Sequence, residues 1–442
     1  MKTRSTLFVF LAVLSLLLSS CNLPDPTATA TGLPILGITA TPPVPALPIP
    51  TSSPTGLSIL GITATPPVPA VPLPTLTGPV IAHMPAGQGI AIMKIHMVDP
   101  LSGWGIGGLG QAQDHVFRTW DGGLNWRDVT PPQPAPAAGD KAVAIGDFRD
   151  ASTAWVIYGT GMAPPPAFLN FWITHDGGAT WQYRSIDTSV STEFFNPWFI
   201  DFVNATEGWL LVYLGAGMSH TYVALLNTID GGQTWTTLVT PQDNNDIQAC
   251  PKTSMVFSDV LNGWLARECN GLYPAPHILR TMDGGATWKL IEPLAPASAP
   301  NLFTDYACDM ASPVPFSVSS VVMIMKCLSM TDFTTQKDYL YSTNDGGLTW
   351  SSYPMPAEYS LGEGLHFFDP QNGFAFGRRI YKTTDGGQTW TFVQEVTWSG
   401  QFSFVNPNQG WASVVNDSSE NALVKTNNGG VRWEMLNPMV VP

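Results

Sequence analysis

The sequence predicts an all-β protein: a seven-bladed β-propeller of four-stranded antiparallel blades, preceded by a disordered Pro/Thr-rich tether. Three observations carry that expectation. An eight-residue motif ending in Trp recurs seven times after residue 88. A Gly-Trp or Gly-Phe pair recurs upstream of most copies. Composition is that of a turn-rich β chain, with 12% charged residues, 41 Gly, 40 Pro and 16 Trp among 442 residues. That charge content is about half the share usual for soluble proteins.

In chain order, the first element is a leader. Lys2 and Arg4 precede an apolar run from Leu7 to Leu18, which ends in Leu18-Ser19-Ser20-Cys21. A basic start, an apolar core and small residues before a cut define a secretory signal over residues 1–20. The apolar run is too short to cross a hydrocarbon layer of about 30 Å. Small residues followed directly by cysteine are similar to a bacterial lipobox. Cys21 is then the lipidated mature N-terminus, on the outer face of a bacterial membrane; the alternative is a plain signal with an incidental cysteine.

The second element, residues 21–79, holds the lipid-anchored Cys21 and a linker. Residues 22–79 contain 15 Pro, 11 Thr, no Lys or Arg, and Asp25 as the single charge. Residues 31–46 return at 55–70 with one change, Pro34 to Ser58, a period of 24 residues. Proline at this density removes ladder donors and blocks helix. A semi-extended tether follows.

Residues 80–442 carry the repeat. Its first copy is Thr119-Trp120-Asp121-Gly122-Gly123-Leu124-Asn125-Trp126. The pairs Asp176/Trp181, Asp230/Trp235, Asp283/Trp288, Asp345/Trp350 and Asp385/Trp390 mark the next five copies, and Asn428/Trp433 the last. Trp-to-Trp spacings of 55, 54, 53, 62, 40 and 43 mean one supersecondary unit per repeat. A β-prone run precedes each copy, and Asp-Gly-Gly between two such runs is a hairpin signal. The carboxylate can accept the loop's own N–H groups, and the Trp can bury a large face beneath the turn. The upstream half-repeat reads Ser102-Gly103-Trp104, Glu207-Gly208-Trp209, Asn262-Gly263-Trp264, Asn372-Gly373-Phe374 and Gln409-Gly410-Trp411, with Ala154-Trp155 a looser copy. Each unit thus offers four strands with two turns. The unit from 300 to 354 lacks the Gly-Trp half and carries an insertion.

These motifs resemble the Asp-box (BNR) repeat, Ser/Thr-x-Asp-x-Gly-x-Thr-Trp. The seven-fold count and the Gly-Trp half resemble the photosystem II assembly/stability factor family over residues 88–438. In Asp-box families the box lies on the blade periphery, so the resemblance implies that all seven boxes are structural. It also implies an assembly module with a protein partner. The same box occurs in sialidases and xyloglucan-cleaving hydrolases, so a glycan-binding or glycoside-hydrolase propeller acting on a cell-surface glycan is the competing class. The Phe-Arg-Ile-Pro motif of sialidases is absent.

A glycosidase needs two facing carboxylates. Connecting segments offer Glu193, Asp201, Asp305, Asp309, Glu358 and Glu363, for which solvated loop acids are the commoner reading. Two aromatic insertions are the binding candidates: Phe194, Phe195 and Trp198 in one, Phe303 and Tyr306 in the other. Packing between blades is their alternative. Cys250, Cys269, Cys308 and Cys327 form an even set in an exported chain, which suggests disulfides. Of three pairings, Cys250–Cys269 and Cys308–Cys327 share a separation of 19 residues and are favoured. A four-cysteine zinc site lacks any Cys-x-x-Cys spacing. The seven histidines show no ligand spacing, and no metal or cofactor is expected. The net charge of −14 argues against nucleic acid and against anionic lipid, leaving the lipid anchor as the membrane contact. A monomer is expected.

Overall fold

The computed structural model describes residues 78–442, apart from 111–112, 138–139, 160–163, 218–219, 244, 270–274, 358 and 360–363. The leader, Cys21, the tether up to residue 77, Glu358 and Glu363 lie outside the described residues.

Seven four-stranded antiparallel sheets follow one another along the chain, at 91–128, 143–187, 196–239, 252–291, 306–354, 364–395 and 398–436. Each pairs its strands a to d in chain order, and strand a meets strand a of the next blade at the seams between blades 2–3, 3–4, 4–5, 5–6 and 7–1. The all-β seven-bladed expectation holds. Two single helical turns, Asn245–Gln248 and Leu302–Asp305, interrupt the connections into blades 4 and 5.

In every blade the a–b and c–d turns leave at one end, and the b–c turns and blade-to-blade connections at the other. The seven boxes are the c–d turns. In the third, Asp230 Oδ1 accepts from Thr234 N–H (2.9 Å) and Thr228 Oγ1–H (2.8 Å), and Oδ2 accepts from Thr234 Oγ1–H (2.6 Å). Thr228 Oγ1 accepts the Gly232 N–H at 2.8 Å. Gly231 has φ +75° and donates to the Thr206 carbonyl of the a–b turn at 2.7 Å, so one bond joins the two turns. All seven boxes repeat that last bond, to the carbonyls of Leu101, Ser152, Thr206, Leu261, Ser319, Gln371 and Asn408.

A second acceptor sits in each a–b turn. Asp99, Asp150, Asn204, Asp259, Ser317, Asp369 and Asn406 each accept N–H groups two and three residues on. In blade 5 this Ser317 turn stands where the Gly-Trp pair is missing, with Val321-Val322 in its place.

The core lies between blades. Trp155 of blade 2 stacks on Phe202 of blade 3 at 3.7 Å and 2°, and donates to the Gly231 carbonyl at 2.9 Å. Trp209 of blade 3 stacks on Phe257 of blade 4 at 3.6 Å and donates to the Gly284 carbonyl at 2.7 Å. Trp155 and Trp209 thus grip both the aromatic of strand a and the box of the next blade. Trp104 stacks on Phe148 and donates to Asp150 O of the a–b turn, and Trp411 donates to Gly122 O of the blade 1 box. The box tryptophans differ among themselves. Trp126 and Trp288 are buried and donate into their own boxes, Trp181 donates across to Val129 of blade 1, and Trp235 packs edge-on against Phe171 of blade 2. Trp350, Trp390 and Trp433 are half-buried, edge-on against Trp264, Phe367 and Trp398.

Residues 79–90 and 439–441 close the ring on blade 1. Met439–Val441 lies parallel to Asn125–Asp128 as a fifth strand. Its other edge is held by residues 87–90, through Gly87 N–H to Val440 O and Val440 N–H to Gln88 O, both 2.8 Å. Residues 79–84 then run beside 128–135, with Ile81 N–H donating to Gln133 O and Met84 N–H to Asp128 Oδ2, both 2.8 Å.

Candidate functional site

The end of the ring opposite the boxes carries the long connections, and in blades 3 to 5 they are stitched into one rim. Thr221, near the b–c tip of blade 3, accepts from Lys252 Nζ at 3.2 Å. Lys252 also donates to Cys250 O (2.7 Å) and Ala249 O (3.2 Å). The Cys250–Cys269 disulfide joins that connection to the b–c segment of blade 4, with Cα atoms 5.2 Å apart. Cys269 N–H donates to Asp309 Oδ1 of blade 5 at 2.8 Å. Cys308–Cys327 links strands a and b of blade 5, where the two residues stand directly opposite. Met330 N–H then reaches Asp305 O at 3.0 Å, tying the b–c loop of blade 5 to the helical turn before it.

Behind the rim lie buried cations. Arg267 Nε–H donates to His277 Nε2 at 2.7 Å, and its Nη1 reaches Asp246 O. Burial, then the neighbouring Arg267, brings the Lys252 ammonium down to about 7 and the His277 imidazole to about 4. The long connections therefore have internal polar partners and hold a defined surface rather than collapsing onto the core.

A different set lines the innermost strands. Asp147 Oδ2 of blade 2 accepts from Phe202 N–H of blade 3, and Asp201 Oδ2 accepts from Phe257 N–H of blade 4, both at 2.6 Å. Ser403 Oγ of blade 7 accepts from Met97 N–H of blade 1 at 2.8 Å. These three make the same bond, from the same position of blades 2, 3 and 7, to strand a of the next blade. Burial raises Asp147 to about 6, and burial plus the nearby Asp147 raises Asp201 to about 7. Asp201 is thus an inter-blade tie on strand a, not a loop acid.

The remaining candidates fall as follows. Phe195 is wholly buried among the blade 2–3 core residues, so it faces no partner. Asn196, Pro197 and Trp198 belong to strand a of blade 3, Asn196–Phe202, because the innermost strand starts earlier than its hydrophobic pattern indicates. Trp198 stacks on Phe199 and packs edge-on against Tyr213. Phe194 is half-buried beside Tyr213. Phe303 packs into the blade 4–5 core. Tyr306 opens strand a of blade 5, and Lys337 Nζ lies 4.8 Å over its ring. Glu193 and Asp305 are exposed, while Asp309 serves the Cys269 amide. Among the described residues no three His, Cys, Asp or Glu side chains converge as a metal site.

Fold and rim together define a seven-bladed propeller whose two ends are built differently, one from regular turns and one from stitched insertions. No protein-family model matches the chain, and no curated protein matches it either. Among solved structures it is similar to YCF48 bound to D1 peptide, at 15% identity over 81% of this chain and 99% of that one, with TM-score 0.50. It is similar to a prolyl endopeptidase at 9% identity over 80% of this chain and 49% of that one, with TM-score 0.51. An ulvan lyase of polysaccharide lyase family PL25 aligns at 10% identity over 81% and 97%, with TM-score 0.42. The YCF48 and prolyl endopeptidase likenesses show the propeller fold.

Proposed function

We propose that this chain is an exported, lipid-anchored propeller that binds a protein partner and acts as an assembly module, of the kind the photosystem II assembly factors represent. The observation that carries the reading is the likeness to YCF48 bound to D1 peptide, which spans nearly all of that chain. The stitched rim supports it, since insertions held by two disulfides and buried hydrogen bonds present a fixed surface. The boxes serve as turn locks, because their carboxylates are spent on the turns they close.

The anchor is tested by Cys21→Ser. The variant should leave the membrane fraction and keep the wild-type melting temperature; retention on the membrane would end the lipoprotein assignment. The binding role is tested by presenting the purified full chain with peptide and polysaccharide arrays. Saturable peptide binding without polysaccharide turnover supports the module. Turnover abolished by neutralising one carboxylate would replace it with a glycan-active enzyme.

A further inference from the structure

We propose that the blade 5 corner of the rim docks a basic polypeptide segment whose apolar side chains meet Phe333. The proposal rests on the protein-binding reading above and names its partner chemistry. Phe333 stands at the tip of the b–c loop of blade 5, 70% exposed, beside exposed Met330 and Leu328. Its φ of +53° is a conformation that non-glycine side chains seldom adopt.

The loop holds it there. Phe333 N–H donates to Ser329 O at 3.1 Å, Ser329 N–H to Thr335 O at 2.8 Å, and Asp332 Oδ1 accepts from Thr334 (2.8 Å) and Thr335 (2.7 Å) N–H. The Cys308–Cys327 bridge and the Met330–Asp305 bond fix its base. An aromatic side chain presented on a fixed loop loses little freedom on contact, which is the character of an interface anchor.

Charge then selects the partner. Asp243, Asp246, Glu268, Glu292, Asp305 and Asp332 are exposed along the rim of blades 3 to 5. The exposed lysines of blades 3 to 5 among the described residues are Lys289, on strand d of blade 4, and Lys337, seated over Tyr306. Lys326, opposite Asp309 on strand b of blade 5, is half-buried, and Lys252 and Arg267 are buried, so exposed acids still outnumber exposed cations along this rim. An acidic rim around an apolar tip favours a segment carrying Lys or Arg beside aliphatic or aromatic residues, and repels an acidic one.

The test uses the full chain and three short synthetic peptides, alternating Lys/Leu, Glu/Leu and Lys/Ser, followed by fluorescence anisotropy. The Lys/Leu peptide should bind and weaken with salt; the Glu/Leu peptide should not bind, and Lys/Ser should bind less tightly. Phe333→Asn suits the same φ and should weaken Lys/Leu binding at least about tenfold. Glu268→Gln with Asp305→Asn should weaken it and flatten its salt dependence. Unchanged affinity in both variants, or equal binding of Glu/Leu, overturns the proposal. A random-peptide selection on the same protein separates the two levels. Selected peptides that bind wild type and rim variants equally would remove the rim and leave the protein-binding reading. Failure to select any peptide, with no Lys/Leu binding, would remove both.

Discussion

The carboxyls of Asp147 and Asp201 give up water to accept a backbone N–H from the next blade. Their raised values make ionisation costly in the folded state. The stabilisation each gives is complete below the unfolded value of about 3.9 and is lost as pH rises through its folded value. For Asp201 that window closes near pH 7. His366 and His277, lowered to about 4 chiefly by burial, act the other way: their contribution is lost as pH falls from about 6.5. Asp201→Asn keeps an acceptor oxygen and removes the titration. Wild type should lose on the order of 1–3 kcal/mol relative to that variant between pH 5 and pH 8, in paired thermal melts. Parallel melting curves across that range would count against the assignment. Asp230 makes the opposite case, an acceptor held low once its hydrogen bonds outweigh desolvation. Asp230→Ala should cost about 1–3 kcal/mol and Asp230→Asn clearly less. Asn428 already holds its turn with an amide oxygen, accepting Arg432 N–H at 2.9 Å.

At the scale of the element, the seams between blades 1–2, 2–3, 3–4 and 6–7 are each specified by an aromatic pair reaching across. Trp209→Ala should open a cavity against Phe257 and Gly284 and destabilise by about 3–5 kcal/mol. A loss near 1 kcal/mol, measured by chemical denaturation, would mean that the seam repacks. The box turns and the Gly-Trp strands were legible because glycine and tryptophan are conspicuous. A second regularity accompanies them: Met97, Phe148, Phe202, Phe257, Phe367 and Phe404 each stand seven residues before the Trp or Phe of the half-repeat. A lone Phe at fixed spacing has no motif of its own, and its partner lies on another blade, so the seam is not specified by local sequence. Asp201 reads as a connecting-segment acid for a related reason: one acid between apolar residues looks like a loop, and only the neighbouring blade supplies its N–H. The rim lies furthest from local signals. Phe194, Phe195 and Trp198 read as a surface insertion, but aromatic content does not separate an exposed tip from a buried seam. Phe333, the exposed one, has no motif around it.

At the scale of the whole molecule, seven similar sheets form one ring because the last joins the first. Trp411 of blade 7 donates to Gly122 O of blade 1 at 2.8 Å, and Gln401 exchanges two bonds with the Ile95 backbone, at 2.7 and 2.9 Å. Met439–Val441 then completes blade 1, with Val440 buried in the blade 7–blade 1 core. Deleting residues 438–442 should leave blades 2 to 6 folded and loosen the seam. Amide exchange should then rise at Gly87 and in residues 125–128, and the melt should broaden. Unchanged exchange there would show that the fifth strand closes nothing.

The same strand sets a clock on folding. Arg127 Nε–H meets Pro442 O across 315 positions of sequence, and Trp411 meets Gly122 across 289. Contacts so remote require the whole intervening chain to be in place, and topologies dominated by them fold slowly. A growing chain can form its middle blades one by one, but its first blade waits, an edge unpaired, for the last residues to arrive.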